Sequence, residues 1–469
     1  MSEGREAALA AAIAAVVAVL PACTRPNPEY CSVEEGRPCA DGVCIDHRCV
    51  SFDAGAIDSY SGCSRHEECE SRLCDLKSRQ CVDCQEGACA ERSDGLLVCD
   101  EDSGECVQCV ESADCLSSEP ICDGSRQCRP CVTDDECQVR TQTAEVGRCD
   151  RAVGRCLESI EVAFVSASAA CPGSGTSEEP YCQIQQAIDD SDRAWIIVRD
   201  GSYQPFAVDR SIMSIVAAPG AVPEVQSSET STDVVRIGGN GADVLLDGLS
   251  VSGASPSSAG VACVESARCH LVRMRVTYNA LGVYADNARQ LVVERSVVAS
   301  NNGGGILTEA STFEIVNSLI YKNGSGGSAI GGVELGLGYS TSEAPGVFKY
   351  NTVFANRAES RAPGGIVCRT AVTLSSSILW NNDGLEATRG TCAIENSIVE
   401  EPTLDGLNGN RSVDPQFEDA SSITPDLHIK ETSPCRDTGV ADLAPVEDFF
   451  GQARDDGHPD IGADEHGLP

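Results

Sequence analysis

The sequence predicts an all-β protein in two parts, a disulfide-rich repeat region followed by a solenoid of β-strands, and three observations predict it. Twenty-one of the 28 cysteines lie at or before Cys156, and the last sixteen of them fall in sets of four that recur with a period of 21 to 25 residues. From about Ile160 the chain changes to short β-branched runs separated by Gly and Asn. Within that region, Gly260-Val261, Gly282-Val283 and Gly305-Ile306 recur at intervals of 22 and 23 residues. At 469 residues the chain exceeds one ordinary core, which fits two or more units.

The N-terminus carries an unbroken apolar stretch of fourteen residues from Ala7 to Leu20. That is short of the ~20 residues of a membrane span and fits the apolar segment of a secretory signal over 1–22. It ends in Leu20-Pro21-Ala22-Cys23, which resembles the lipobox of bacterial lipoproteins. The resemblance implies that Cys23 is diacylated and becomes the new N-terminus. Thr24, not Asp, follows it, which by the same likeness directs the anchor to the outer membrane or cell surface. The alternative is an ordinary signal cut after Ala22 with Cys23 in a disulfide.

Cysteine arithmetic bears on that choice. With Cys23 set aside, twenty cysteines remain up to Cys156, and they divide into five sets of four. The first set (Cys31, Cys39, Cys44, Cys49) and a Ser/Gly/Asp linker at 51–62 complete a segment over 23–62. Four closer repeats follow over 63–157 and abut through C-x2-C joints: Cys81 with Cys84, Cys106 with Cys109, and Cys128 with Cys131. Units of about twenty residues bury too little apolar surface to fold alone, so two bridges per module are expected. Four cysteines allow three connectivities, and the spacing does not choose among them. Zinc ligation would need reduced thiolates in closed tetrahedral sets, whereas these joints sit between repeats in a chain bearing an export signal. No βαβ pattern surrounds them to support a thioredoxin-like role. Asp75, Asp100, Asp123 and Asp150 each follow a third cysteine; such an Asp caps a turn more often than it binds Ca²⁺. The spacing is similar to cysteine-rich repeats of exported myxobacterial-type proteins and to the Dickkopf N-terminal cysteine region, which implies spacing or binding.

The second part spans 160–400. Tyr181 to Ile188 has apolar residues at helical spacing, and Trp195-Ile-Ile-Val198 reads as the strand that begins the coil. An amphipathic helix there would cover the first exposed rung. This order resembles right-handed parallel β-helix proteins of the pectate-lyase-like superfold. In the rung from Val283 to Val298, Val and Leu alternate inward. Ser296 to Asn301, Ser318 to Asn323 and Ser377 to Asn382 share one spacing, and stacked Asn at turns forms amide ladders and tolerates left-handed backbone. Aligning rungs places Cys263 with Cys368 and Cys269 with Cys392. The pairing read from that alignment is Cys263–Cys269, Cys368–Cys392 and Cys171–Cys182, with Cys435 unpaired. The stretches Asp414-Pro-Gln-Phe417, Ser433 to Gly439 and Pro459 to Glu465 are similar to the tail of choice-of-anchor Q β-helix proteins. That likeness implies that 401–469 caps the open end of the solenoid. The fold class is thus a right-handed parallel β-helix preceded by a disulfide-rich repeat region.

Function is less sharply marked. The net charge of −38 excludes a nucleic-acid binder, which needs a basic footprint, and excludes electrostatic docking to anionic lipid. The superfold includes lyases and hydrolases of acidic polysaccharides, which implies clustered carboxylates holding Ca²⁺ with an Arg or Lys base, or two carboxylates at a set separation. The best pair is Asp286 and Glu309, at a shared offset from their rung starts and ~4.8 Å apart on one face. No companion basic residue is placed beside them, and solvated acids are the plainer reading. The expectation is therefore no catalytic residue and no cofactor. The protein would be a lipid-anchored adhesin or interaction scaffold, with extracellular polysaccharide or a surface protein as partner. A glycan-cleaving enzyme and a structural envelope spacer are the alternatives.

Overall fold

The computed structural model describes residues 42–45, 48–51, 69, 74–75, 80–84 and 89. It also describes 95–467 apart from 142–146, 152, 210–211, 228–231, 326, 337–345, 360–362, 384–387 and 455–456. The signal segment 1–22, Cys23, Cys31, Cys39 and the linker beyond residue 51 lie outside the described residues. The chain forms two compact units: 1–84 with 103–105, and 85–102 with 106–469.

In the first unit the described strands form antiparallel hairpins, Gly42–Ile45 with Arg48–Ser51 and Cys74–Asp75 with Gln80–Cys81. The second unit begins with modules whose third and fourth cysteines face each other across a hairpin, as Cys122 faces Cys128 and Cys149 faces Cys156. The connectivity left open by the spacing is first-to-third and second-to-fourth. Cys109 joins Cys122, Cys115 joins Cys128, Cys131 joins Cys149 and Cys137 joins Cys156. Each bridge closes a loop of 13 to 19 residues, a constraint on the unfolded chain of about 3 kcal/mol. Acidic side chains fasten the turns. Asp123 Oδ1 accepts the Ser125 and Gln127 N–H groups, Asp114 accepts those of Val110 and Glu111, and Glu136 those of Val132 and Thr133.

The solenoid winds through three faces, with parallel pairing from coil to coil. One coil runs through Leu281–Asp286 on the first face, Gln290–Glu294 on the second and Val297–Ala299 on the third. The coil begins earlier than the sequence suggests: Val162–Val165 pairs in parallel with Trp195–Val198, so a strand precedes the helix. The helix Ile184–Asp190 buries Ile184, Ala187 and Ile188. Its Gln185 side chain accepts the Ala207 N–H of the first strand on the first face at 2.8 Å, blunting that edge.

Two turns per coil carry internal ladders. At the turn from third face to first, Asn279, Asn301, Asn323, Asn356 and Asn382 stack, each amide donating to the next carbonyl oxygen at 2.9 to 3.0 Å. The backbone N–H of each also donates to the next side chain. At the turn from second face to third, Ser296, Ser318, Asn351, Ser377, Ser397 and Asn410 do the same through backbone N–H groups. The left-handed backbone falls one residue before each ladder position, at Tyr278, Ser300, Lys322, Ala355 and Asn381, and not at the ladder asparagines themselves. The recurring glycines follow from the same contact. A Cβ on Gly260 would stand 2.6 Å from the Asn279 amide nitrogen, on Gly282 2.8 Å from that of Asn301, and on Gly305 2.9 Å from that of Asn323.

The tail does two things. Residues 402–411 close the last coil: Asn410 accepts the Ser397 N–H, Arg411 bridges Ile398 in parallel, and Leu404 meets the core. The rest folds back along the outside of the third face, where Phe417, Leu427, Ile429, Cys435, Ile461 and Ala463 cover Val297, Leu319, Phe354 and Ile378. This is why third-face strands are apolar on both sides. Arg454, with a side chain 0% exposed, pairs with Glu465 at 2.6 Å, donates to the Asp460 and Gly462 carbonyls, and lies over the Tyr350 ring. Asp464 accepts the Ile429 N–H at 2.7 Å, while its Oδ1 is buried with no hydrogen-bond partner among the described residues.

Burial, reinforced by Asp448 and Asp460, pushes the Asp464 carboxyl up to about 6. A raised folded value means that Asp464 supports the docked tail while protonated. That contribution is complete below ~4, the unfolded value, and is lost as pH rises through about 6. Asp464→Asn, which mimics the protonated form, is expected to raise the melting temperature at neutral pH and leave it unchanged near pH ~4, where thermal melts across that range check it.

Candidate functional site

The first face points a column of side chains outward at every second residue. Register pairs Tyr284 with Leu307, and Asp286 directly with Glu309, so the two carboxylates singled out in the sequence do stand on neighbouring strands, both exposed. The Tyr284 hydroxyl donates to Glu309 Oε2 at 2.9 Å. Burial, that hydrogen bond and the charges of Glu309, Asp286 and Asp233 hold the phenol well above its ordinary range.

A basic residue missing from the sequence reading completes this surface. Gly336 lies between Glu309 and Arg369 in register, where a Cβ would stand 2.9 Å from the Thr308 carbonyl oxygen, so no side chain separates the two. The Arg369 Nε donates to Glu334 Oε1 at 2.7 Å, and this bond, with the charge of Glu309 behind it, raises the guanidinium pKa. Arg236 at the other end of the face is likewise held, by Asp233 at 3.3 Å and Glu265 at 3.0 Å. Arg369 stands at the same offset from Gly365 as Glu309 from Gly305, and the register of Leu335 with Cys368 puts it on the Glu309 column, two coils on.

A second cluster joins the last cysteine module to the second face. Arg148, its side chain only 8% exposed, pairs with Asp134 at 2.5 Å and approaches Asp247 at 3.8 Å. It also donates to the Ala217 carbonyl. Arg273 pairs with Asp247 and reaches Asp134 at 3.5 Å. Burial disfavours the ionised Asp134 carboxyl, but Arg148, the Cys149 N–H and Arg273 outweigh it and lower its pKa. Clefts of about 430 and 330 Å³ flank this clamp, the smaller lined by Trp195, Leu245, Asp243 and His270. Two arginines facing two aspartates make a rigid joint, with each charge answered.

The cysteine positions are also placed. Cys171 is bonded to Cys182, Cys263 to Cys269 and Cys368 to Cys392, while Cys435 is a buried free thiol whose pKa burial pushes up to about 12. Cys109, Cys115 and Cys128 lie within metal-binding distance of one another, as do Cys131, Cys137 and Cys156. All six are in disulfides, which leaves no thiolate to ligate an ion.

Residues 214–334 match the model of a family described as right handed beta helix region. The solved structure of the pectate lyase Pel9A is 11% identical with a TM-score of 0.36, covering 65% of this chain and 96% of that one. A rhamnogalacturonan lyase is 13% identical with a TM-score of 0.31, covering 55% and 90%. No curated protein matches the chain. The solenoid is a right-handed parallel β-helix, and the likeness to these enzymes is one of fold.

The pairing of Tyr284 with Glu309 is directly measurable. Glu309→Gln is expected to bring the phenol down toward its ordinary ~10, read by ultraviolet pH titration against the unsubstituted protein; an unmoved midpoint would show that burial alone holds it.

Proposed function

We propose that this chain is an exported, lipid-anchored surface protein that displays its β-helix as a non-catalytic adhesion or interaction scaffold. The disulfides point to an oxidising compartment outside the cytoplasm. The observation that carries the non-catalytic part is the state of the groups around Asp286 and Glu309. The nearby phenol donates its proton to a carboxylate and the nearby guanidinium is paired with another. Both are engaged as donors, so neither stands as the free basic partner that the carboxylate pair would need beside it for proton abstraction from a uronate. What the face offers is a fixed array of acceptors, a phenol and ion pairs, which suits contact with a partner.

The second reading is a lyase or hydrolase on acidic glycans. It draws on the register pair Asp286–Glu309 and on Arg369, which only Gly336 separates from Glu309 along the face. The anchor rests on Leu20-Pro21-Ala22-Cys23.

Incubation of the purified protein with uronate and neutral glycans separates the two readings. No product is expected; release of shortened or unsaturated product that is lost in the Asp286→Asn, Glu309→Gln double variant would overturn the display reading. Intact-mass analysis of the membrane-extracted protein is expected to show a chain starting at Cys23 with added acyl mass, and a bare Cys23 terminus would remove the anchor.

A further inference from the structure

The chain has only two tryptophans, and one of them, Trp380, borders a cleft of about 490 Å³ between the end of a third-face strand and the folded-back tail. We propose that this cleft binds a neutral pyranose ring. The site deepens the display reading and rests on it, by naming what one part of the displayed surface holds.

Three separate elements meet there. Trp380 ends the strand Ile378–Trp380 and Asn381 follows it, Asp414 and Gln416 lie in the turn before Phe417, and Lys430 follows the strand Asp426–Ile429. The apolar wall is built firmly, since Phe354 and Phe417 pack edge to face with ring centroids 5.3 Å apart beneath it. Trp380 is partly exposed above that pair and packs against the same apolar cluster. The backbone around the cleft is fastened: Asp414 Oδ1 accepts the Gln416 N–H at 2.8 Å, the Asn381 N–H donates to Glu400 at 2.6 Å, and Gln416 Oε1 accepts the Thr432 hydroxyl at 2.8 Å.

The remaining polar groups are the informative ones. The Asn381 side-chain amide, the Lys430 ammonium and Asp414 Oδ2 make no hydrogen bond to the described protein. At the Arg148–Asp134 clamp, by contrast, two arginines and two aspartates answer one another. Here donors and acceptors line one concavity with an indole on its wall. Its size falls within the ~300–1,000 Å³ typical of small-ligand sites.

Charge selects the ligand class. One ammonium and one carboxylate cancel at the cleft, while the chain as a whole carries −38. A polyanionic glycan meets that field as repulsion, and a cationic ligand meets Lys430. A neutral ring whose hydroxyls both donate and accept matches an amide, an ammonium and a carboxylate together, while its C–H face packs on the indole.

The chain's tryptophan count makes the test selective. In a Trp195→Phe background the emission reports Trp380 alone, and it is titrated with glucose, galactose, mannose, their short oligomers, glucuronate and galacturonate. A saturable change with at least one neutral sugar, with the uronates at least about tenfold weaker, is expected. Lys430→Met and Asn381→Gly, with melting temperatures confirming folding, are each expected to weaken binding about tenfold, the equivalent of one hydrogen bond. No response to any neutral sugar, tighter binding of the uronates, or unchanged binding in both variants would overturn the proposal. Such a failure is distinct from failure of the display reading, which product release from glycans alone would bring about.

Discussion

The contact between the asparagine ladder and the glycines that open each rung governs the solenoid. Each ladder amide is buried at a turn, donates forward to the next coil, and lies where a Cβ on the rung-opening glycine would stand. A buried amide without a partner costs about 1–3 kcal/mol, so a slip of one coil against its neighbour is penalised at every ladder position it breaks. The apolar interior alone does not set register that tightly, because one Val or Ile stacked on another is nearly as good as the next. Ladder and glycine together hold the coils in step, and the outward columns of the first face inherit that alignment. Asp286 meets Glu309 because Asn301 meets Asn323.

Much of this was legible in the sequence because its cause is local and periodic. The Gly-Val openings and the Ser-to-Asn spacing are two views of one packing event, and the cysteine offsets follow once rungs are aligned on them. What stayed hidden depends on long-range contact. The strand Val162–Val165 precedes the helix and pairs forward with Trp195–Val198, across some thirty residues of loop and helix, so it has no periodic signature. The fold-back of the tail was likewise unread, although third-face triplets such as Leu319-Ile320-Tyr321 and Ile378-Leu379-Trp380 are apolar on both sides, the mark of a strand covered twice. Of the candidate site, the carboxylate pair was visible and its neighbours were not. Tyr284 needed the register to find Glu309, and Arg369 shares the Glu309 offset but lies two coils away, so only the pairing through Gly336 brings it near.

The cysteine region solves a different physical problem with different means. Its modules have almost no apolar core, so paired bridges and carboxylates that cap their own turns replace burial. The last module is then clamped to the second face by Arg148, Asp134, Asp247 and Arg273, a network in which each arginine reaches both carboxylates. Rigid joint, register-locked solenoid and acidic exterior together describe an object made to present side chains at fixed spacing.

Native-state hydrogen exchange reads directly whether the ladder holds the coils in register. The backbone amides of Asn279, Asn301, Asn323 and Asn356 each donate to the next ladder side chain. They are expected to be among the slowest in the chain and to share one opening free energy, because breaking one rung unpairs its neighbours. Exchange of these four amides at unrelated rates, or as fast as amides in exposed turns, would show that the coils are not held in register by the ladder.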